Sequence, residues 1–246
     1  MEFYANEGKQ VEIRVGERTF ARHAIKTRFV QVGDDYIDLI RTYVLPVYQP
    51  GDLVSMSEKV IALCQKRVVY ANEVTPGVLA RFLSRFVHQT SAGPGAGNPY
   101  KMQFAINQCG ALKVIWAAIA AGIGKLFGKK GVFYDIVGAE TTGLDGFYGH
   151  DIEEYAQMGI RIPDRPDLVC DEIYEKTGVK AMIVDANAIS VEILGHGSAV
   201  AEKEADLIGM IRDNPAGQVR QFTPFILIRE RGTPVEGEAS ENATAD

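Results

Sequence analysis

The sequence predicts an α+β (mixed α/β) protein with a largely antiparallel sheet that is flanked by helices. Strand-like apolar runs follow one another through turns too short for a crossover helix, and other segments have helical periodicity. Of the 246 residues, 46% are hydrophobic and 24% are charged, which is typical of a globular protein and not of a disordered chain. We expect one domain over residues 1–232, with two lobes on either side of the Gly/Pro-rich loop 90–100, and a disordered acidic tail over 233–246.

The first third of the chain alternates strand and helix patterns. Residues 10–25 have the composition of strands, and DDYIDLIRTYV (34–44) has the apolar spacing of a helix. A Pro-Gly-Asp turn should open a buried strand at Leu53. GVLARFLSRFVHQ (77–89) predicts an amphipathic helix. Its expected apolar face consists of Leu79, Phe82, Leu83, Phe86 and Val87.

The middle of the chain combines a small-residue loop with an apolar helix. We interpret residues 90–101, TSAGPGAGNPYK, as a mobile lid or linker, and a backbone cradle for phosphate is the alternative. The run 114–124, VIWAAIAAGIG, is 11 residues long between two lysines, whereas a membrane span needs roughly 20. We therefore expect a buried or interface helix and no membrane partner.

The last third contains a helix, a buried strand and a final strand. DLVCDEIYEKTG (167–178) predicts a helix with Asp167 near its start and Gly178 just past its end. Ala181–Val184 follows as a buried strand. EKEADLIGMIR (202–212) predicts a short amphipathic helix, and the apolar residues after Pro224 predict the last strand.

Charge and cysteine content exclude several classes of protein. The net charge of -6 argues against a nucleic-acid binder, which needs a basic face. Cys64, Cys109 and Cys170 are widely spaced and include no CxxC, so neither a disulfide framework nor a zinc site is indicated. No secretory signal opens the sequence, and we expect a cytoplasmic protein.

Polar residues stop the buried strand at Asp185 and Asn187. Because the ends of such strands are where ligands enter open α/β sheets, Asp185 is a candidate for a metal or phosphate site. A simple Asx-type turn explains the same residues. Upstream, residues 135–154 contain six Asp and Glu residues interspersed with glycines. Carboxylates on a turning backbone suit Mg²⁺ or Mn²⁺ as ligands, but the same composition is typical of a solvated acidic loop. We expect Asp145 or Asp151 to share an ion with Asp185.

A second polar cluster precedes the last strand. Asp213, Asn214 and Gln218 lie in turn-forming sequence between Arg212 and Arg220. A structural turn accounts for this composition, and the two arginines would also suit a phosphate or a carboxylate.

Four stretches of the sequence match one known pattern. DLVSMSEKVIALCQKR (52–67), with Ser57, Lys59 and Arg67, is followed by GHDIEEYAQMGIRIP (149–163) and by EIYEKTGVK and IVDANAI (172–180 and 183–189). Together they resemble the coenzyme F(420)-0:L-glutamate ligase (γ-glutamyl ligase) family, as a divergent bacterial member. The chain departs from that pattern in four ways: Ala186 replaces a metal-binding Thr, the following Gly-Arg is absent, 63–66 differs, and fewer residues separate Asp185 from the last strand.

The resemblance implies a ligase-like fold and a metal- and nucleotide-dependent ligase that joins a small-molecule carboxylate to an amine through an acyl-phosphate. The co-substrate would be GTP or ATP, with Mg²⁺ or Mn²⁺, and K⁺ as an optional further ion. A homodimer would bury the helix 112–127.

The residues expected to act are Lys59 and Arg67 in catalysis; Ser57, Lys59, Asn187 and Asn214 in nucleotide binding; and Asp151, Asp185 and Asp145 as metal ligands, with Asp213 as a further ligand or orienting group. Two alternatives are a nucleotide- or cofactor-binding protein of the same fold without ligase activity, and a structural oligomer subunit.

Overall fold

The structure is a computed structural model that describes residues 2–87, 95–129, 131–138, 141, 143–147, 153–187, 190–217 and 219–232. Nine strands lie within these residues: β1 Glu12–Val15, β2 Arg18–Ile25, β3 Leu53–Ser57, β4 Val68–Tyr70, β5 Asp145–Gly146, β6 Met158–Ile160, β7 Lys180–Ala186, β8 Val191–His196 and β9 Phe225–Arg231. Eight α-helices lie within the same residues: α1 Tyr36–Leu39, α2 Glu58–Cys64, α3 Val78–Leu83, α4 Pro99–Cys109, α5 Ala111–Leu126, α6 Val132–Val137, α7 Pro166–Thr177 and α8 Glu204–Ile211. Ile40–Val44 continues α1 as a π-helical turn, and short 3-10 turns span Ser84–Phe86, Gly95–Gly97, Glu153–Ala156 and Val219–Gln221.

The strands form two sheets. Six of them make a curled half-barrel in the order β1-β2-β9-β3-β7-β8, in which β3 and β7 are parallel and every other neighbouring pair is antiparallel. The small second sheet, β4-β6-β5, is antiparallel throughout. The predicted mixed α/β class and the largely antiparallel main sheet are confirmed.

The parallel pair determines where the chain can build a site. Leu53 lies opposite Lys180 and Ser57 opposite Val184, so β3 and β7 end side by side. Strand β9 begins at this same edge, since Phe225 lies opposite Met56, and β2 ends there, since Ile25 lies opposite Phe225. The connections that leave β2, β3 and β7 and the one that enters β9 therefore gather at one edge of the sheet.

Hydrophobic cores fill both faces of the main sheet. On β7, Ala181 and Ile183 pack into the core that includes residues of α1, α2 and α7, while Met182 and Val184 pack into the core beside α8. This alternation is the period-2 pattern of a strand buried on both faces. It confirms the predicted buried strand, and it places successive residues at the end of β7 on opposite faces.

Helices α3 to α6 share a separate hydrophobic cluster. The predicted helix at α3 is present, and its predicted apolar face is correct only in part: Leu83 and Val87 pack against this cluster, but Phe82 and Phe86 do not. The side chains of Ala80 and Ser84 are buried, whereas Phe82 and Phe86 are 54% and 69% exposed and contact each other edge to face. The small residues face the helices because α3 packs closely on α4, and close helix contacts leave little room for aromatic side chains.

Helix α5 is long and apolar, but much of it is exposed. Val114, Ala117 and Gly124 are buried, while Trp116 is 60% exposed. Within the part of the chain that the structure describes, no single helix is long and apolar enough to cross a bilayer. The pair α4 and α5 passes that test together, with a bend of 120° between them.

Part of the predicted small-residue loop is helical. Asn98 caps α4 by accepting a hydrogen bond from the Tyr100 backbone N–H at 2.8 Å, so the helix begins within the region predicted as loop. Asn is among the preferred N-cap residues, and Pro at the first helical position lacks only an N–H that would be unpaired there. Residues 88–94 and the predicted tail 233–246 lie outside the described residues.

Candidate functional site

An open pocket lies at the edge where β3 and β7 end together. It encloses about 820 Å³ including its mouth. Residues from the β2–α1 connection, β3, α2, β7 and the α8–β9 connection line it. Three of the residues predicted for nucleotide binding or catalysis line the pocket: Ser57, Lys59 and Asn214. Its position matches the rule that ligands bind beyond the carboxyl ends of strands in open sheets.

Ser57 and Lys59 reach the pocket because β3 turns directly into α2. Ser57 is the N-cap residue of α2, but its side chain makes no capping hydrogen bond. Lys59 follows in the first turn and lines the same pocket. The local sequence Ser-Glu-Lys thus places a hydroxyl and an ammonium at the end of a buried strand.

A cluster of charged side chains lies beside the pocket. Lys59 Nζ lies 2.6 Å from Asp145 Oδ2, and Lys101 Nζ lies 3.7 Å from Asp145 Oδ1. Burial lowers the pKa of Lys101, the charge of Asp145 opposes this shift, and the charge of Lys59 adds to it. Asp145 therefore joins a lysine of α2 to a lysine of α4.

Two further carboxyl groups complete this cluster. Burial raises the pKa of Glu58 to about 8, and the charge of Asp185 adds to that shift while the charge of Lys59 opposes it. Burial also raises the pKa of Asp185, with Lys59 opposing and Asp145 adding to the shift. We call Glu58, Lys59, Lys101, Asp145 and Asp185 the charged cluster. Of these five residues only Lys59 also lines the pocket.

The described residues do not by themselves form a metal site. Among them, no three His, Cys, Asp or Glu side chains are grouped so that they could hold an ion. Asp145 instead has an ammonium at 2.6 Å, where a cation would bind. Asp151, the remaining predicted ligand, lies outside the described residues.

Three other predicted residues have structural contacts in the fold. Arg67 donates from Nε to the Ile162 carbonyl at 2.6 Å, and it is not among the described residues that line the pocket. Asn187 Oδ1 accepts from the Ser190 backbone N–H at 3.0 Å, as in the Asx-type turn left open as the alternative. Asp213 forms an ion pair with the buried Arg22.

Asn214, next to Asp213, does face the pocket. Its backbone is in the left-handed region, with φ of 50°, which Asn tolerates better than most residues. Its Nδ2 donates to the Ala186 carbonyl at 3.1 Å, which ties the α8–β9 connection to the end of β7. Its Oδ1 is buried and has no hydrogen-bond partner within the described part of the chain. Asn214 therefore lines the pocket, while its amide oxygen is shielded from it.

The sequence analysis missed two members of the charged cluster. Glu58 had a usable signal, because it is a charged residue directly after a buried strand, as Asp185 is. Lys101 had none, since it lies in the first turn of α4 and meets Asp145 only through the tertiary fold.

Searches for similar proteins give no match: no family model matches the chain, and no curated protein shows significant sequence similarity to it.

Proposed function

We propose that this protein is a nucleotide-dependent carboxylate–amine ligase with a ligase-like fold, as the resemblance to the γ-glutamyl ligase family implies. One observation carries the proposal: Lys59 lines the pocket and also pairs with Asp145 in the charged cluster. A single ammonium can thus contact a substrate held in the pocket and a phosphoryl donor held at the cluster.

The proposed reaction has two steps. A carboxylate oxygen of the substrate attacks the γ-phosphorus of GTP or ATP, the bond from that phosphorus to the bridging oxygen breaks, and an acyl-phosphate and a nucleoside diphosphate result. The amine nitrogen then attacks the acyl carbon, phosphate leaves, and the nitrogen loses a proton. Lys59 and Lys101 would stabilise the charge on the transferred group. Asp185 is the neighbouring carboxyl group proposed to accept the proton, since Glu58 already holds one near neutral pH.

Mg²⁺ or Mn²⁺ belongs to the proposal as a partner of the nucleotide phosphates, whose charge it would neutralise. Because the described residues do not assemble three ligands, the ion is tested directly. We expect Mn²⁺ with nucleotide to raise the melting temperature of the wild type, and Asp185→Asn to lose most of that increase. The matched control is Asp38→Asn, whose carboxylate is exposed and which is not among the residues that line the pocket. Equal Mn²⁺ responses in the wild type and Asp185→Asn would contradict the assignment of Asp185 as a metal ligand.

Hydroxylamine trapping tests the ligase chemistry without knowledge of the natural amine. Hydroxylamine converts an acyl-phosphate to a hydroxamate, so a panel of carboxylates with GTP or ATP should give hydroxamate and phosphate in equal amounts. Lys59→Met should lower hydroxamate formation roughly 100-fold or more, the scale for loss of one group that stabilises transition-state charge. Lys113→Met, which removes an exposed lysine, should match the wild type.

Two results would contradict the proposal. Nucleotide binding without hydroxamate from any carboxylate would favour a nucleotide-binding protein of the same fold without ligase activity. Hydroxamate formation that is insensitive to Lys59→Met would show that the pocket and the charged cluster are not the site.

A further inference from the structure

One wall of the pocket belongs to the α8–β9 connection. Six residues of that connection line the pocket: Asn214, Ala216, Gly217, Phe222, Thr223 and Pro224. We call these six residues the α8–β9 wall. The backbone φ is 50° at Asn214, 69° at Gly217 and 53° at Phe222, and such a value is rare for Phe. Because unfavourable backbone conformations persist only where surrounding contacts hold them, the contacts of this wall determine its shape.

The buried side chain of Asn6 makes several of these contacts. Asn6 is 2% exposed, and it is not among the described residues that line the pocket. Its Nδ2 donates to the Pro215 carbonyl at 2.9 Å, to the Ala216 carbonyl at 3.0 Å and to Thr223 Oγ1 at 2.8 Å. Since carbonyl groups only accept hydrogen bonds, the nitrogen of the Asn6 amide must face them. Asn6 therefore joins both ends of the α8–β9 wall.

Gly217 allows the wall to approach Asn6 closely. A Cβ added to Gly217 would lie 3.2 Å from Asn6 Nδ2 and 1.7 Å from Gln221 Oε1. The positive φ of Gly217 is also one that glycine adopts more readily than other residues. The turn after Asn214 therefore closes directly on the Asn6 amide.

The segment that carries Asn6 is itself attached to the main sheet. The Ala24 backbone N–H of β2 donates to the Tyr4 carbonyl at 2.8 Å, and the Tyr4 backbone N–H donates to His23 Nδ1 at 2.9 Å. Further along the segment, the Lys9 ammonium donates to the Asp213 carbonyl. The sheet thus fixes the position of Asn6, and Asn6 fixes the position of the wall.

Two backbone amides report where the wall lies. The Thr27 N–H, just after β2, donates to the Phe222 carbonyl at 2.8 Å, and the Ser57 N–H, at the end of β3, donates to the Pro224 carbonyl at 2.9 Å. Thr27 and Ser57 both line the pocket. A displacement of the wall would break these two hydrogen bonds and leave the middle of the sheet unchanged.

We propose that Asn6 is a positioning residue that determines the shape of the pocket through the α8–β9 wall. Without the Asn6 amide, the buried Pro215 carbonyl loses a donor, and the wall residues with positive φ can relax to more favourable conformations. The wall would then move away from the ends of β2 and β3. The inference holds for whatever ligand the pocket binds, so it goes beyond the proposed function.

The experiment measures backbone hydrogen exchange by NMR in the full chain and in Asn6→Asp, which keeps the side-chain size but replaces the donor by an acceptor. We expect the protection of the Thr27 and Ser57 amides to fall at least about tenfold, the scale for a lost buried hydrogen bond. Amides in the middle of β3, β7 and β9 should keep their protection, because the opening is local. The matched control is Asn72→Asp, which changes an exposed asparagine and should leave both sets of amides unchanged.

Thr223→Val tests the same contact from the side of the wall. It removes the hydroxyl that accepts from Asn6 and should lower the protection of the same two amides. Combined with Asn6→Asp, it should cost less than the sum of the two single changes, because both belong to one hydrogen-bond network. If circular dichroism shows that Asn6→Asp does not fold, Thr223→Val alone provides the test.

Two results of the exchange experiment would overturn the inference. One is equal protection of Thr27 and Ser57 in the wild type and Asn6→Asp. The other is a loss of protection that the core strands share equally, since Asn6 would then contribute only to global stability.

The hydroxamate assay separates this inference from the proposed function. Asn6→Asp should raise the KM for the carboxylate roughly tenfold and keep kcat within about twofold, because the wall contains neither Lys59 nor another residue of the charged cluster. A local loss of protection without hydroxamate from either protein would support the inference and contradict the ligase. Hydroxamate formation with the same KM in both proteins would overturn the inference and leave the ligase intact.

Discussion

At the scale of single residues, Glu58 shows how burial changes the chemistry of a carboxyl group. It is the first residue of α2, directly after a buried strand, and only 9% of its surface is exposed. Burial raises its pKa from an ordinary value of 4.5 to about 8, with the charges of Asp185 and Asp145 adding to the shift. Near neutral pH the folded protein therefore holds a proton on Glu58 that the unfolded chain has released.

Because the folded protein retains this proton, its free energy of unfolding should depend on pH. Between pH 4.5 and about 8 the folded state binds one more proton than the unfolded state, so stability falls as pH rises. The slope for a full proton is about 1.4 kcal/mol per pH unit. Glu58→Gln removes the titration, so urea denaturation with a chelator present should show the variant gaining stability over the wild type from pH 5 to pH 8. Glu175→Gln, on an exposed face of α7, should not gain, and a parallel response of the two variants would contradict the assignment.

Arg22 illustrates a buried charge whose role is structural. It is 2% exposed, and it donates to the Met210 and Gln10 carbonyls and to both carboxylate oxygens of Asp213. Burial opposes ionisation of Asp213, but the hydrogen bond and charge of Arg22 outweigh it and hold the pKa of Asp213 below its ordinary value. The pair fixes the start of the connection that carries Asn214.

Arg22→Met should destabilise the protein by about 2 to 4 kcal/mol at pH 7, because it leaves the Met210 and Gln10 carbonyls without their donor, while water can solvate Asp213, whose side chain is 38% exposed. The control is Arg18→Met, which breaks the exposed ion pair with Glu230 and should cost about 1 kcal/mol or less. Since the pKa of Asp213 is depressed, its stabilising charge is lost as pH falls through the folded-state pKa, and the Asp213→Asn variant should approach the wild type in acid. Equal costs for Arg22→Met and Arg18→Met in urea denaturation would show that burial adds nothing to the pair.

At the scale of secondary-structure elements, the sequence predicted a helix or strand correctly where its apolar periodicity and the residues at its ends indicated the same element. β7 shows a continuous apolar run that stops at Asp185, and α7 ends at Gly178 in the left-handed conformation that favours glycine. The apolar face of α3 could not be predicted in the same way, because the identity of the packing neighbour decides it. Phe82 and Phe86 have the expected helical spacing, but α4 approaches the side with Ala80 and Ser84 instead.

The residues of the candidate site show the same difference between what local sequence predicts and what only tertiary packing decides. Asp185 was predictable because it stands where the apolar run of a buried strand stops, and the ends of such strands are where ligands bind. Ser57 and Lys59 were predicted from the resemblance to the ligase family, and both lie at the end of β3. The pairing of Asp145 with Lys59 and Lys101 was not predictable, since it joins β5, α2 and α4 across 86 and 44 residues of chain. Asp145 was predicted as a metal ligand from the density of acidic residues alone, and composition does not show which cation comes closest.

Strand β5 has only two residues and positions Asp145. Its second residue, Gly146, allows β5 to pair with β6. Gly146 has a φ of 96°, and a Cβ added there would lie 2.2 Å from the Met158 carbonyl oxygen of β6. Gly146→Ala should therefore separate β5 from β6, cost about 3 kcal/mol or more, and weaken every ligand that requires Asp145. Gly8→Ala is the matched control, because Gly8 also has a positive φ of 74° but has nothing within 4 Å of the added Cβ.

Urea denaturation and nucleotide titration of both glycine variants give the test. The Gly8 variant should show only the strain of a left-handed alanine, about 1 kcal/mol, with unchanged ligand affinity. An unchanged nucleotide affinity in Gly146→Ala would contradict the placement of Asp145 in the site.

At the scale of the whole molecule, charge is distributed unevenly along the chain. Residues 76–138, which contain α3 to α6, have seven Lys and Arg residues and one acidic residue, Asp135, although the whole chain carries a net charge of -6. The rest of the protein is therefore strongly acidic. This helical segment is electrostatically complementary to the remainder of a second copy of the chain.

The exposed face of α5 is suited to a helix contact. Five large apolar residues lie on it at alternating spacings of four and three, which is the a/d pattern of helices that pack together. Each is at least 50% exposed: Leu112, Trp116, Ile119, Ile123 and Leu126. Several large apolar residues exposed on one helix face are typical of an interaction site.

We predict that a second copy of the chain covers this face, as the expected homodimer requires. Light scattering coupled to size exclusion at micromolar concentration should give a dimer for the wild type and a monomer for Ile119→Lys, because a charge in the a/d stripe would be desolvated without a partner. Leu168→Lys is the control, since Leu168 is 56% exposed on α7 and outside the stripe. A monomeric wild type would show the prediction to be wrong. Sedimentation of the wild type, but not of Ile119→Lys, with vesicles of anionic lipid would show instead that a membrane surface covers α5, against the expectation from its length. A dimer that survives Ile119→Lys would place the interface elsewhere on the molecule.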